Sequence, residues 1–243
     1  MKLAALILGI LGNALSMLVF ASPMPTFWRI LRKRSTESFS AFPYICTLLS
    51  NMMWLYYGIL DSDGLLLITI SASGCAIESL YLSIYMMYAS KQQRFTLAKQ
   101  AVVMLSIYLT ILTFTLIFAR GGRRLQVVGL LSAFNSLCMY ASPLIAVKMV
   151  ITTRSVEYMP FLLSMSLFLC GGVWFGYALL MKDLYLEISN GSGFCLGFIQ
   201  LVVYAFYVII HSKCRASADK SHTALATRSC NDSHLNPQQL QIL

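Results

Sequence analysis

The chain has 243 residues, 58% of them hydrophobic and 11% charged, with a mean hydropathy of +0.72 and a formal net charge of +9. A typical soluble domain carries roughly 25% charged residues, so too few remain here to coat a globular surface. Disorder, which needs low hydrophobicity, is excluded too, and what is left is a polytopic membrane protein.

A helix needs about 20 apolar residues to cross a bilayer core of ~30 Å. The sequence predicts seven spans, at residues 3–22, 41–60, 65–88, 100–119, 126–147, 159–181 and 185–210. The weaker ten-residue alternation of a membrane barrel is missing. The first run ends in Ala21-Ser22-Pro23 and could be taken for a signal peptide. It is longer than a typical signal core and is interrupted by Gly and Asn, so it is expected to stay in the protein. Residues 211–243 are polar, hold all three histidines, and are expected to form a short disordered tail.

Seven spans leave the termini on opposite sides. With the N-terminus outside, the inner segments hold Arg29, Arg32, Lys33, Arg34, Lys91, Arg94, Lys99, Lys148, Arg154, Lys213, Arg215, Lys220 and Arg228. The outer segments hold Lys2, Arg120, Arg123, Arg124 and Lys182, so the split is 13 to 5. The positive-inside rule then predicts N-out and C-in. The excess charge is a topology signal, and nucleic acid is not an expected partner. The basic cluster at 32–34 can touch anionic lipid heads or simply anchor the orientation.

Comparison of the chain with itself reveals a repeat. Ala21-Ser22-Pro23 recurs as Ala141-Ser142-Pro143, Arg34-Ser35-Thr36-Glu37 as Arg154-Ser155-Val156-Glu157, Trp54 as Trp174 and Tyr57 as Tyr177, all offset by 120. Ser71-Ala72-Ser73-Gly74 matches Asn190-Gly191-Ser192-Gly193 at an offset of 119, and Pro43 matches Pro160 after a gap of three. Each unit is three helices. Because three crossings invert direction, the fourth span restores it, and both units run parallel. The predicted fold class is an all-α membrane protein of two parallel three-helix bundles joined by a linker helix (3+1+3). Its segments are a first repeat at 1–90, a linker helix with flanking loops at 91–125, a second repeat at 126–210 and a cytoplasmic tail at 211–243. A substrate site is expected between the halves.

This layout, with Thr26-Phe27-Trp28-Arg29-Ile30, Arg32-Lys33-Arg34-Ser35-Thr36-Glu37, Tyr140-Ala141-Ser142-Pro143-Leu144, Arg154-Ser155-Val156-Glu157-Tyr158-Met159-Pro160-Phe161 and Ser189-Asn190-Gly191-Ser192-Gly193, resembles the plant SWEET sugar transporters (MtN3/saliva family) over about residues 3–210. The resemblance implies bidirectional, facilitative uniport of a mono- or disaccharide by alternating access, without ATP. It also implies the plasma membrane first and the vacuolar membrane second, and it makes a homo-oligomer a partner by analogy, although no motif here shows one.

Four of the six prolines, Pro23, Pro43, Pro143 and Pro160, sit at equivalent helix ends near the inner face. Proline removes a backbone donor and kinks or ends a helix, so they are ordinary terminators or a ring of hinges. The resemblance implies the hinges, at an inner gate.

Trp54, Trp174, Ser71 and Asn190 converge ~9–11 Å below the outer helix ends at 1.5 Å per residue. Tryptophans at that level are interfacial anchors or walls of a pocket, in which an indole packs on the C–H face of a pyranose and short polar groups bond its hydroxyls. The resemblance implies the pocket, with Val19, Ser50, Met139 and Cys170 as walls beside the prolines. Its usual Asn in the third span is Ser71 here, which offers one donor where an amide offers two. Tyr57 with Asp183 is implied as the outer gate. A lysine found after the second span in some relatives is replaced by Asp61 and Asp63.

Glu78 is the one acid deep inside a span and is a functional suspect by default. It serves proton coupling, or else bonds a neighbouring helix or reaches toward the inner face; the second is favoured. The seven cysteines show no disulfide or metal spacing. No phosphate loop appears, no Ser–His pair lies in the spans, and neither cofactor, metal nor enzymatic activity is expected. The nearest rival in fold is a proton-coupled PQ-loop-type transporter of another small solute, which should carry Pro-Gln at its first hinge, where this chain has Pro23-Met24.

Overall fold

The structure, a computed structural model, describes residues 2–153 and 161–234. Among these every regular element is helical: α1 (Lys2–Ala21), α2 (Met24–Lys33), α3 (Phe42–Leu60), α4 (Leu65–Tyr88), α5 (Lys91–Phe118), α6 (Gly122–Met139), α7 (Ala141–Thr153), α8 (Phe161–Met181) and α9 (Leu184–His234). Leu3–Lys33 and Gly122–Thr153 each count as one long apolar stretch, and with α4, α5, α8 and residues 184–209 they make six helices long and apolar enough to cross a membrane. α3 has the length, 19 residues or ~28 Å. It is less apolar because it carries Asn51, Trp54, Tyr56 and Tyr57 into the interior.

The first and fifth predicted spans are each broken near the C-terminal end. α1 stops at Ala21 and α2 restarts behind Pro23; α6 stops at Met139 and α7 restarts with Pro143 in its first turn. Side chains of the third helix of each half reach backbone carbonyls beside these breaks. Tyr81 donates its hydroxyl to the Phe20 carbonyl at 2.9 Å, and Gln200 donates its amide to the Pro143 carbonyl at 3.3 Å. Positions 81 and 200 are themselves equivalent at the 119 offset.

The principal contacts close a ring in the order α1, α4, α3, α6, α9, α8 and back to α1. Within each half the third helix lies between the first and second. The halves therefore meet along two equivalent seams, α1 against α8 and α3 against α6. α5 stands outside the ring against α3 and α6. It starts with a capping box, in which Ser90 accepts the Gln93 N–H and the Gln93 side chain accepts the Ser90 N–H. Gln93 also takes the Thr36 hydroxyl at 2.7 Å and donates to the Glu37 carbonyl at 3.0 Å, pinning the 34–41 loop to the start of α5. Glu37 is salt-bridged to Arg29 (2.7 Å) and Lys33 (2.6 Å), and the Lys33 bond first among these holds its carboxyl below the ordinary value. Large apolar side chains such as Leu3, Ile10, Leu18, Phe114, Phe118, Leu162 and Phe198 cover the outside. Such a surface belongs in lipid.

The disordered tail expected from residue 211 needs correction: α9 continues to His234. No proline or glycine lies between Gly197 and Pro237, and a chain without breakers has nothing to stop an established helix. The rest of that tail, 235–243, and Pro160 lie outside the described residues.

Seam packing depends on close approach. A Cβ at Gly129 of α6 would sit 2.6–2.7 Å from the Tyr185 and Tyr57 rings. Gly129→Val is expected to force those rings apart and to cost about 1–3 kcal/mol, seen as a lowered thermal midpoint of the purified protein. An unchanged midpoint would mean the seam has room to spare.

Candidate functional site

A cavity of ≈ 300 Å³ lies in the middle of the ring, and all six ring helices reach it. The first half contributes Ser16, Val19 and Phe20 from α1, Ser50, Asn51 and Trp54 from α3, and Leu67, Ile70 and Ser71 from α4. The second contributes Ser136, Met139 and Tyr140 from α6 and its end, Cys170 and Trp174 from α8, and Leu186, Ser189 and Asn190 from α9. All eight side chains expected at the pocket, Trp54, Trp174, Asn190, Ser71, Val19, Ser50, Met139 and Cys170, are among them.

The lining folds onto itself under the repeat. Ser16 pairs with Ser136, Val19 with Met139, Phe20 with Tyr140, Ser50 with Cys170 and Trp54 with Trp174 at an offset of 120, and Leu67, Ile70 and Ser71 pair with Leu186, Ser189 and Asn190 at 119. Two of these pairs exchange hydrogen bonds. The Trp54 indole N–H donates to Ser136 Oγ at 3.0 Å, and the Trp174 N–H donates to Ser16 Oγ at 3.0 Å. Each tryptophan is thus held by a hydroxyl of the opposite half. With its N–H spent, each ring offers the cavity carbon. Ser16 and Ser136 were missed by the sequence reading, although they sit at the same 120 offset as the tryptophans. Two serines in an apolar run carry little signal until their partners are known.

The halves differ in detail. Met139 and Cys170 fill space where the first half has Val19 and Ser50, and Cys170 Sγ lies 3.2 Å from Ser16 Oγ. Tyr140 donates its hydroxyl to the Ser189 carbonyl at 2.9 Å, while its counterpart Phe20 has none to give. Asn51 packs where a Cβ at Gly74 would lie 2.6 Å from its amide, so Gly74 makes room for it; its Nδ2 is buried without a partner in the protein. Asn190 spends its amide on the Leu186 carbonyl at 3.1 Å, leaving its carbonyl oxygen as an acceptor.

Above the cavity, Tyr57 stacks edge-on to Trp54 at 5.5 Å and Tyr177 edge-on to Trp174 at 5.4 Å. Tyr57 donates its hydroxyl to Asp183 Oδ2 at 2.8 Å, joining the halves. Asp183 Oδ1 meanwhile accepts the N–H groups of Tyr185 and Leu186, capping α9. The equivalent Tyr177 and Asp63 make no such bond among the described residues. A second space of ≈ 310 Å³ opens outside this latch, bordered by Asp61, Asp63, Lys182 and Asp183. Burial there raises the Asp61 carboxyl above its ordinary value of 3.8, and the Asp183 and Asp63 charges add to the rise.

Three of the four prolines are placed. Pro23 precedes α2, Pro43 lies in the first turn of α3 and Pro143 in that of α7. Glu78 lies off the cavity, 4% exposed among α3 and α4, and its Oε2 has no partner. Glu78 stands mid-helix, 13 residues from the start of α4 and ten from its end.

Residues 6–93 and 126–211 match the family described as sugar efflux transporters for intercellular exchange, MtN3_slv. The chain belongs to this family. The two matched stretches hold most of α1, all of α2–α4 and most of α6–α9, and they leave out nearly all of α5. Bidirectional sugar transporter SWEET16 of Oryza sativa subsp. japonica is 47% identical over 203 residues, covering 82% of this chain and 61% of that protein. This chain therefore spans less than two thirds of the rice protein's length. SWEET16 of Arabidopsis thaliana is 43% identical, covering 82% of this chain and 87% of the relative. A solved structure of a eukaryotic SWEET transporter superposes with a TM-score of 0.79 at 34% identity, covering 85% of this chain and 97% of its own. The chain is a multi-pass membrane protein with the 3+1+3 SWEET architecture.

Two outcomes test this geometry. Ser16→Ala and Ser136→Ala should each strand a buried indole N–H, costing about 1–3 kcal/mol and lowering the thermal midpoint, while Ser→Thr at either site should restore much of the loss. Asp61 carries the pH test. A carboxyl raised in the folded state favours the protonated form, so its charge weakens the fold as pH rises above the ordinary carboxylate range. Asp61→Asn should therefore be more stable than the parent at neutral pH, and the gain should vanish in acid. A gain of equal size at both pH values would refute the assignment.

Proposed function

We propose that this protein is a facilitative, bidirectional carrier of a single-ring sugar, working by alternating access. The observation that carries the reading is the pair of tryptophans whose N–H groups are tied across the seams, so that both indoles present carbon to one cavity between the halves. Around them stand short polar groups: Ser50, Ser71, Ser189, the Asn51 amide and the Asn190 carbonyl oxygen. A pyranose has this pattern in reverse, with C–H faces and equatorial hydroxyls. The volume of ≈ 300 Å³ lies at the low end of the ~300–1,000 Å³ common for ligand sites. Together with the bulk of Met139 and Cys170, it favours a monosaccharide over a disaccharide.

In this reading the outer side opens by breaking the Tyr57–Asp183 bond and both Trp–Ser bonds together, because all three run from one half to the other. The inner side opens at Pro23, Pro43, Pro143 and Pro160, where the chain already lacks backbone donors. The halves rock about the central cavity, and net flow follows the sugar gradient. The 13-to-5 split of basic residues supports N-out, C-in; we assign the plasma membrane before the vacuole.

The test is uptake of radiolabelled glucose, fructose and sucrose by hexose-transport-deficient yeast expressing the chain at its surface, across external pH. Uptake of a hexose with little dependence on pH is expected. Trp54→Ala and Trp174→Ala should each lower it at least tenfold without loss of expression, each removing one wall of the cavity. Steep acid stimulation would favour the proton-coupled alternative, and the absence of any sugar uptake would end the reading.

A further inference from the structure

A space larger than the central cavity lies outside the ring. A groove of ≈ 530 Å³ runs between α3 and α5 on the outside of the ring, bordered by Phe42, Ile45, Cys46 and Leu49 on one side and Gln92 to Ile107 on the other. It exists only in the first half, because α5 has no counterpart beside α8. From Gln92 to Ile107 it extends ~22 Å at 1.5 Å per residue, about the reach of one extended acyl chain.

Its two ends differ in chemistry. The deep end is carbon: Leu49, Val103, Met104 and Ile107. The end near the start of α5 adds Lys99, Gln92, Gln100 and Thr96. Thr96 bonds the Gln92 carbonyl, and Arg94 is spent on the carbonyls of Ala89 and Met87, so neither offers much to a ligand. Lys99 is exposed and takes part in no salt bridge among the described residues. By the charge split, this end faces the inner leaflet, where anionic lipids concentrate.

We propose that the groove is a binding site for one anionic glycerophospholipid of the inner leaflet, its phosphate on Lys99 with the Gln92 and Gln100 amides and one acyl chain between α3 and α5. Charge favours this occupant over a second copy of the chain, which would bring its own basic inner rim against Lys99. The lipid braces the back of α3, the helix whose other face carries Ser50, Asn51 and Trp54 to the cavity. The inference stands apart from the substrate reading, and its test does not measure transport.

The full chain is purified in neutral detergent and incubated with equal phosphatidylglycerol and phosphatidylcholine. Bound lipid is counted by native mass spectrometry, and thermal midpoints are recorded with each lipid. The expected result is about tenfold preference for phosphatidylglycerol, the scale of one charge-assisted contact, with a higher midpoint. Lys99→Gln should abolish the preference without changing the lipid-free midpoint, Val103→Trp should block both lipids by filling the groove, and Lys148→Gln, on the same rim but away from the groove, should keep the preference. Equal binding of the two lipids, full preference in Lys99→Gln, or disulfide crosslinking of two copies through Cys46 would each overturn the proposal, the last by giving the groove to a second copy.

Discussion

An indole N–H inside a membrane must find an acceptor, since no water is at hand to take it and an unmet donor costs several kcal/mol. Both cavity tryptophans find theirs on the opposite bundle, Trp54 on Ser136 and Trp174 on Ser16. This exchange orients the rings and ties the two halves at one depth. In the proposed alternating-access reading, it also makes closure of the outer side cooperative. Neither half can swing away from the other without exposing both indoles at once, together with the Tyr57 hydroxyl.

The twofold pattern is exact in position and inexact in chemistry. Equivalent residues frame the cavity, but the first half presents Val19, Ser50 and Ser71 where the second presents Met139, Cys170 and Asn190. In the proposed reading this suits a sugar, which has no twofold axis: a lining symmetric in its tryptophans and asymmetric in its polar groups would grip both faces of a ring while distinguishing its edges. The Tyr57–Asp183 bond is equally one-sided. Asp183 serves Tyr57 and the start of α9 together, so the bond between the halves rests on a carboxylate already fixed by a helix end.

The prolines and the third helices form a second system at the opposite end of the ring from the Tyr57–Asp183 bond. Beside the breaks at Pro23 and Pro143, Tyr81 and Gln200, standing at equivalent places, each bond a backbone carbonyl. At membrane depth a break in a helix is tolerated where side chains satisfy its backbone groups. Glu78 stands apart from both systems: buried, with one oxygen unmet, and off the cavity.

Most of the architecture was legible in the residues. Hydropathy alone sets where the helices lie, because a bilayer admits little else, and the 120-residue echo makes two parallel triplets of seven spans, because three crossings invert a chain and a fourth restores it. The same echo drew Trp54, Trp174, Ser71 and Asn190 to one depth. What the sequence could not reveal is which helix touches which. That the third helix sits between the first and second, that α1 meets α8 and α3 meets α6, and hence that Ser16 and Ser136 hold the tryptophans of the opposite half, follows only from packing. Serine in an apolar run looks the same whether it bonds its own helix or another. The continuation of α9 to His234 was misjudged for a related reason, since polarity marks what leaves the membrane and says nothing of whether the helix stops there. Depth along the membrane is written in the order of residues; partnership across it is decided by the shapes that close the ring.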